Sequence, residues 1–315
     1  MILFGIDIGG TTIKIGAFQE DKTLLSNWEI KTQPQNLFND LADSVKSYLE
    51  LEHISIAEVF GFGLGIPGII KNGIAISCVN LGWENVNIKE ELEKALGFST
   101  HVIVLNDANM AAFGEASFCK QEVESAVFLT LGTGVGGGIM IHHEIVEGSN
   151  GLGGELGHIP LDTICNFPCS CGLRGCLETL ASSRGMIKLA HHFKNEISTQ
   201  LTINEALSAK DIIDGAKHKD PLAMKVFETA CSALARAMAG LAVIINPDTF
   251  IIGGGISNAG EFLLTAVQNE YKKVCIKQAQ SIPIYLAKLK NNAGIYGACA
   301  YLIQKKIEVE KNGKC

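Results

Sequence analysis

The chain has 315 residues, 47% of them hydrophobic and 19% charged, with a formal net charge of −7 and a sequence pI near 5.7. That is more chain than one minimal core needs, and it carries enough apolar side chain for two domains. The acidic balance argues against an extended nucleic-acid or anionic-membrane surface, because Lys and Arg hold such partners.

MILFGIDIGG opens the chain with no basic stretch ahead of an apolar one and no small-residue cleavage site, which predicts a cytoplasmic protein. Residues 2–8 and 12–18 are short apolar runs separated by Gly9, Gly10 and Thr11, the pattern of two antiparallel strands joined by a tight glycine turn. From Asn39 to His53, Leu41, Val45, Tyr48 and Leu49 recur at helical spacing. Val59 to Ile66 is an apolar run broken by alternate glycines, as in a buried strand that passes close to other backbone. A helix from about Ile88 to Leu96 precedes the strand His101 to Leu105, and Asn106-Asp107 opens an alanine-rich helix. A second hairpin follows, with Ala126 to Leu131 and Gly138 to Ile141 flanking glycines from Gly132 to Gly137; two such hairpins predict two similar lobes. Asp220 and Pro221 cap a long apolar helix to Ile245, which Lys225, Glu228 and Arg236 mark as a core helix rather than a membrane span. Thr249 to Ser257 reads as a buried strand ending in a glycine turn, and Asn292-Ala293-Gly294 starts a final helix. Beyond Gln304 the charged segment KKIEVEKNGKC is expected to be a frayed tail.

Glycine turns between strands let backbone N–H groups converge on an anion. Gly9, Gly10, Thr11 and Thr12 with Lys14, Gly132 to Gly136, and Gly253 to Gly255 are three such turns, and together they favour a nucleotide polyphosphate; singly, each is also what a tight hairpin looks like. None is a Gly-x-x-x-x-Gly-Lys-Ser/Thr loop or a dinucleotide fingerprint. Asp7 and Asp107 each end a strand-like run, where a carboxylate suits metal organisation or proton abstraction. Asp107 is the candidate base, and its alternative is a helix N-cap.

Ten cysteines in a chain of this length point to metal rather than disulfides where they crowd. Cys169, Cys171 and Cys176, with turn glycines between them, offer three thiolates, and His158 completes a tetrahedral structural zinc shell. Cys165 is the reserve ligand, and a reduced cysteine cluster the alternative. Glu155 and His158, three residues apart, share a helical face and could grip adjacent sugar hydroxyls, with Glu178 held nearby by the zinc loop. Cys78, Cys119, Cys231, Cys275 and Cys299 are expected to be buried small hydrophobes.

DIGGTTIK, NDANMAA, LGTGVGGGI and ELGHIPL followed by CSCGLRGCLE together resemble the ROK group of repressors, open reading frames and kinases, over nearly the whole chain. The resemblance implies an α/β, two-lobed actin/hexokinase-like (ribonuclease H-like) fold with a nucleotide and sugar cleft between lobes. The smaller lobe would be 1–106 completed by the C-terminal helix 294–315, and 107–293 the larger, with the zinc loop. It implies Asp107 as general base; Asn80, Asn106, Asp107, Glu155, His158 and Glu178 around the sugar; and His158, Cys169, Cys171 and Cys176 around zinc. Gly10, Thr11, Thr12, Lys14, Gly132, Thr133, Gly134 and Gly254 would line ATP, with Asp7 organising Mg2+ through water. A homodimer is also implied.

The function expected is ATP-dependent phosphorylation of a hexose hydroxyl, the 6-hydroxyl of glucose first, with allose, N-acetylmannosamine and fructose as alternatives. NLGWENV resembles glucokinases, whereas ELGHIPL with GCLET looks at least as much like allose kinases. A sugar-responsive repressor is remote, since the family's repressors carry a DNA-binding domain ahead of the first phosphate motif and here that motif starts at Asp7.

Overall fold

A computed structural model describes residues 1–119, 123–161 and 165–312, and the chain divides into two compact units. The first comprises Met1–Glu122, Ile145–Gly153 and Asn291–Cys315; the second comprises Val123–Glu144 and Gly154–Lys290.

The first unit begins with strands β1 (Ile2–Ile8), β2 (Thr12–Gln19) and β3 (Leu24–Lys31), then helix α1 (Leu37–Leu51) and strand β4 (Val59–Ile66). A small three-stranded sheet of β5 (Ile69–Lys71), β6 (Ile74–Cys78) and β7 (Trp83–Asn87) leads into α2 (Ile88–Leu96), β8 (His101–Asn106) and α3 (Asp107–Ser117). The main sheet has the order β3-β2-β1-β4-β8, antiparallel across the first hairpins and parallel from β1 to β8. Strand β4 shows why: Phe62, Leu64 and Ile66 fill the core on one face, while Gly61, Gly63 and Gly65 leave the other face bare. A Cβ at Gly63 would meet the Ala298 carbonyl, so the glycine face lets a helix lie directly on the sheet.

The second unit repeats the plan. Strands β9 (Ala126–Leu131), β10 (Val135–Ile141) and β11 (Glu144–Ile145) are followed by α4 (Glu178–Ala181), α5 (Ser183–Phe193), α6 (Ala209–Lys217), α7 (Pro221–Ile245), β12 (Thr249–Gly253), α8 (Glu261–Val274) and β13 (Ile284–Leu286). Its sheet order is β11-β10-β9-β12-β13, again a central strand with its own hairpin on one side and parallel strands on the other. Helix α7 starts as the residues require, with the Asp220 side chain accepting from Ala223 N at 2.9 Å and Pro221 at the first turn. Among the described residues α7 has the length and composition of a membrane span, but Leu222, Val226, Phe227, Leu234 and Met238 are buried in the core of this unit.

Helix α9 (Ala293–Asn312) returns to the first unit and packs on β1, β4 and α3. This moves the boundary expected at 106/107. Gly114 of α3 and Gly297 of α9 bring the two helix backbones into contact, so α3 stays with the first unit. Of the frayed tail expected after Gln304, the part to Asn312 is instead a continuation of α9, in which the Gln304 and Lys305 side chains bond Glu308 at 3.0 Å and Lys306 reaches Glu20 at 2.9 Å; residues 313–315 lie outside the described residues. Of the cysteines expected to be buried, Cys78, Cys231 and Cys299 are, whereas Cys119 and Cys275 are half-buried at the ends of α3 and α8.

Candidate active site

In the first unit, Gly9, Gly10 and Thr11 form the turn between β1 and β2, closed by Gly9 N donating to Thr12 O at 2.9 Å. Thr32, just past β3, grips this turn twice: its hydroxyl donates to Gly9 O at 2.7 Å and its N–H to Thr11 O at 3.0 Å. The N–H groups of Gly10 and Thr11 make no hydrogen bond among the described residues, and both residues are exposed. Asp7 and Lys14 face each other across the β1–β2 pair, and Lys14 Nζ donates to Asn291 O at 2.8 Å. The Asp7 carboxyl lies against Gly294 in the first turn of α9, where a Cβ would strike it.

The cap role that the sequence left open for Asp107 is taken by its neighbour Asn106. Asn106 is the N-cap of α3: its Oδ1 accepts from Ala108 N at 3.0 Å and Asn109 N at 3.2 Å, and its Nδ2 donates to Gly68 O at 3.0 Å. Asp107 is the first residue of the helix, and its Oδ1 accepts from Ala108 N at 2.8 Å. Burial raises its carboxyl above the ordinary carboxylate range, against the backbone N–H that favours the anion. Burial and the neighbouring Asp107 charge push Asp7 up to about 6, with Lys14 opposing. Asn80 sits in the exposed turn between β6 and β7, two residues past Cys78, whose thiol also feels the Asp107 charge.

In the second unit, Gly132, Thr133 and Gly134 form the equivalent turn between β9 and β10, with Gly132 N donating to Gly134 O at 2.9 Å. The Gly132 carbonyl accepts twice from Ser183, from its N–H and its hydroxyl, each at 2.8 Å. Val135 N donates to Glu178 Oε2 at 3.1 Å, and a Cβ at Gly134 would collide with that carboxylate. The N–H groups of Thr133 and Gly134 are left without partners among the described residues. Gly254, at φ 81° and ψ 176°, presses on the end of the same strand, where a Cβ would lie 2.5 Å from Leu131 O. Thus Gly132, Thr133, Gly134 and Gly254 come together at one end of the second sheet.

The same unit gathers His158, Cys169, Cys171 and Cys176, whose ligand atoms all lie within 4.8 Å of one another. Cys171 and Cys176 sulfurs are 3.7 Å apart, and Cys169 Sγ is 3.5 Å from His158 Nδ1. A tetrahedral zinc with ligand bonds of about 2.0–2.3 Å requires edges of roughly 3.5–3.8 Å, which these two separations match, so the donor set suits the ion. Without an ion, burial pushes the Cys176 thiol up to about 12, and a cation that binds thiolates removes that cost. Cys165, the reserve ligand, lies outside the cluster. His158 turns its other nitrogen, Nε2, to Glu155 Oε2 at 3.9 Å. Glu178 closes the arrangement: its Oε1 accepts from Ser170 Oγ at 3.1 Å and faces Cys169 Sγ at 3.8 Å. Glu155, His158 and Glu178 are therefore assembled around the thiol loop, and Glu178 also ties that loop to the glycine turn. Thr32, Ser170 and Ser183 had no signature in the sequence.

The family model described as ROK family matches residues 3–306. The chain is 34% identical over 323 residues to a glucokinase of Halalkalibacterium halodurans, covering 98% of this chain and 97% of that protein. Among solved structures it is similar to a ROK hexokinase from Thermus thermophilus, at 30% identity, TM-score 0.81 and coverage of 97% and 100%. It is also similar to a ROK family glucokinase from Streptomyces griseus in complex with glucose and AMPPNP, at 28% identity, TM-score 0.74 and coverage of 96% and 100%.

Proposed function

The chain belongs to the ROK family, and from that membership we propose that it is an ATP-dependent sugar kinase whose acceptor is the 6-hydroxyl of glucose. The reading is carried by the doubled glycine turn: each unit presents two adjacent backbone N–H groups without partners among the described residues, as polyphosphate binding requires. Gly10, Thr11, Thr12, Lys14, Gly132, Thr133, Gly134 and Gly254 are the residues we assign to the nucleotide.

Asp107 accepts the proton of the attacking hydroxyl. Its raised pKa makes it a stronger base than an ordinary carboxylate while leaving it ionised above that pKa. Asn106, locked as the α3 cap, fixes the backbone that carries Asp107 and contributes with Asn80 to sugar binding. Glu155, His158 and Glu178 hold further hydroxyls. Asp7 would organise the water shell of a magnesium ion, which would supply charge neutralisation for the transferring phosphoryl group. Zinc on His158, Cys169, Cys171 and Cys176 would leave no open coordination position, so its contribution is to hold the loop that carries these side chains. An enzyme using ATP and a free hexose fits the cytoplasm.

The test is ADP release with Mg-ATP across glucose, allose, mannose, N-acetylmannosamine, N-acetylglucosamine and fructose. The reading predicts the highest kcat/KM with glucose. A higher value for another sugar corrects the substrate, and absence of sugar-dependent ADP release overturns the kinase.

A further inference from the structure

The two glycine turns share a feature that their glycines do not explain. In each, the carbonyl of the first glycine is held by a hydroxyl from elsewhere in its own unit: Gly9 O by Thr32 Oγ1 at 2.7 Å, and Gly132 O by Ser183 Oγ at 2.8 Å. A trans peptide is planar, so its C=O and the N–H of the next residue point in opposite directions, and no peptide among the described residues is cis. Pinning the Gly9 carbonyl on one side of the turn therefore aims the Gly10 N–H out of the other. Pinning the Gly132 carbonyl does the same for Thr133 N–H. These are two of the four turn N–H groups left without partners among the described residues.

The need for a pin follows from composition. The Gly9–Gly10 peptide rotates between carbonyl-in and carbonyl-out orientations at little steric cost, because neither residue has a Cβ, whereas the Gly132–Thr133 peptide has that freedom on the glycine side only. A carbonyl turned outward would present oxygen, not N–H, to an anion. The rest of each turn is held by other bonds: Thr32 N fixes the Thr11 carbonyl, Glu178 fixes Val135 N, and Ser183 N is a second donor to the Gly132 carbonyl at 2.8 Å. Thr32 is 8% exposed and follows β3, while Ser183 is the first residue of α5, so both hydroxyls come from fixed elements.

We propose that Thr32 and Ser183 are positioning residues for the nucleotide, each orienting one phosphate-facing N–H by holding the carbonyl behind it. The proposal rests on the kinase reading for the identity of the anion. It makes no claim that either hydroxyl touches substrate.

The experiment compares wild type with Thr32→Val and Ser183→Ala, which remove the hydroxyls and keep the backbone N–H bonds, and with Thr32→Ser and Ser183→Thr, which restore a hydroxyl. AMPPNP with magnesium is titrated calorimetrically, KM is measured separately for ATP and glucose, and melting temperature monitors the fold. Losing one such bond is expected to weaken nucleotide affinity and raise the ATP KM by about two- to tenfold. The glucose KM should stay within about twofold, and the hydroxyl-restoring variants should recover the nucleotide term. Unchanged AMPPNP affinity in a folded Thr32→Val overturns the proposal for Thr32; in a folded Ser183→Ala it shows that the Ser183 N–H alone holds the Gly132 carbonyl and overturns the proposal for Ser183. So does a loss shared equally by both substrates and not recovered by the conservative swaps, which would mark a general packing role. If wild type phosphorylates no sugar, the kinase reading fails, and the AMPPNP titrations still decide whether these hydroxyls set the turns.

Discussion

Asp7→Asn should make the free protein more stable at neutral pH while damaging its activity. Burial, reinforced by the Asp107 charge and opposed by Lys14, holds the Asp7 carboxyl at about 6 against an ordinary 3.8. At neutral pH that difference costs the folded chain roughly 3 kcal/mol relative to the unfolded chain. The sign follows from which state ionises first. Below the ordinary value both states are protonated and the full stability is present. Between that value and about 6 the unfolded chain ionises while the folded one does not, so stability falls as pH rises; above about 6 the loss is constant. Asparagine has no ionisation to oppose, but it gives up the attraction to Lys14, so the expected gain at pH 7.5 is about 1–3 kcal/mol. Urea unfolding without nucleotide, at pH 7.5 and pH 4.5, measures it. The Asn variant should be the more stable at pH 7.5, and the gap should narrow at pH 4.5. Saturating Mg-ATP should stabilise wild type more than the variant, because ligand binding adds stability in proportion to affinity. A variant that is less stable at pH 7.5, or a gap that ignores pH, would refute the reasoning.

Cys171→Ala should lower bound zinc well below one ion per chain by elemental analysis and reduce the stability of the second unit, since metal binding energy is folding energy in such loops; full zinc content in the variant would remove Cys171 from the ligand set. The same loss should loosen AMPPNP binding, because Glu178 joins the thiol loop to the turn at Val135 N. Gly254→Ala should cost about 1–3 kcal/mol from its glycine-only conformation alone, with the Leu131 carbonyl in the path of the new methyl group. A wild-type melting temperature would contradict that.

Where the information was local, the chain could be read directly. The hairpins at Gly9–Thr11 and Gly132–Gly134 announce themselves by apolar runs on both sides of a glycine cluster, and α7 by Asp220 and Pro221 at its start. The thiol cluster was legible because three of its four candidate ligands lie within one short turn-rich segment. Choosing between base and cap for Asp107 was beyond local reading, since Asn and Asp both cap helices; only the bonds of Asn106 to Ala108 and Asn109 separate them. The assignment of α3 to the first unit depends on Gly114 meeting α9, far along the chain, and no periodicity within α3 reports it. Thr32 and Ser183 are single hydroxyls distant in sequence from the turns they hold, and an isolated Ser or Thr carries no pattern.

The central claim is that Asp107 takes the hydroxyl proton in an ATP-dependent transfer to sugar. The most direct test is the turnover of wild type and Asp107→Asn with Mg-ATP and the best sugar of the panel, alongside AMPPNP affinity and melting temperature as controls. The account predicts a kcat lower by about 10²–10⁴ in the variant, with nucleotide binding retained. It also predicts a wild-type rate that falls as pH drops through the raised pKa of Asp107. A folded Asp107→Asn enzyme turning over within a few fold of wild type would contradict it.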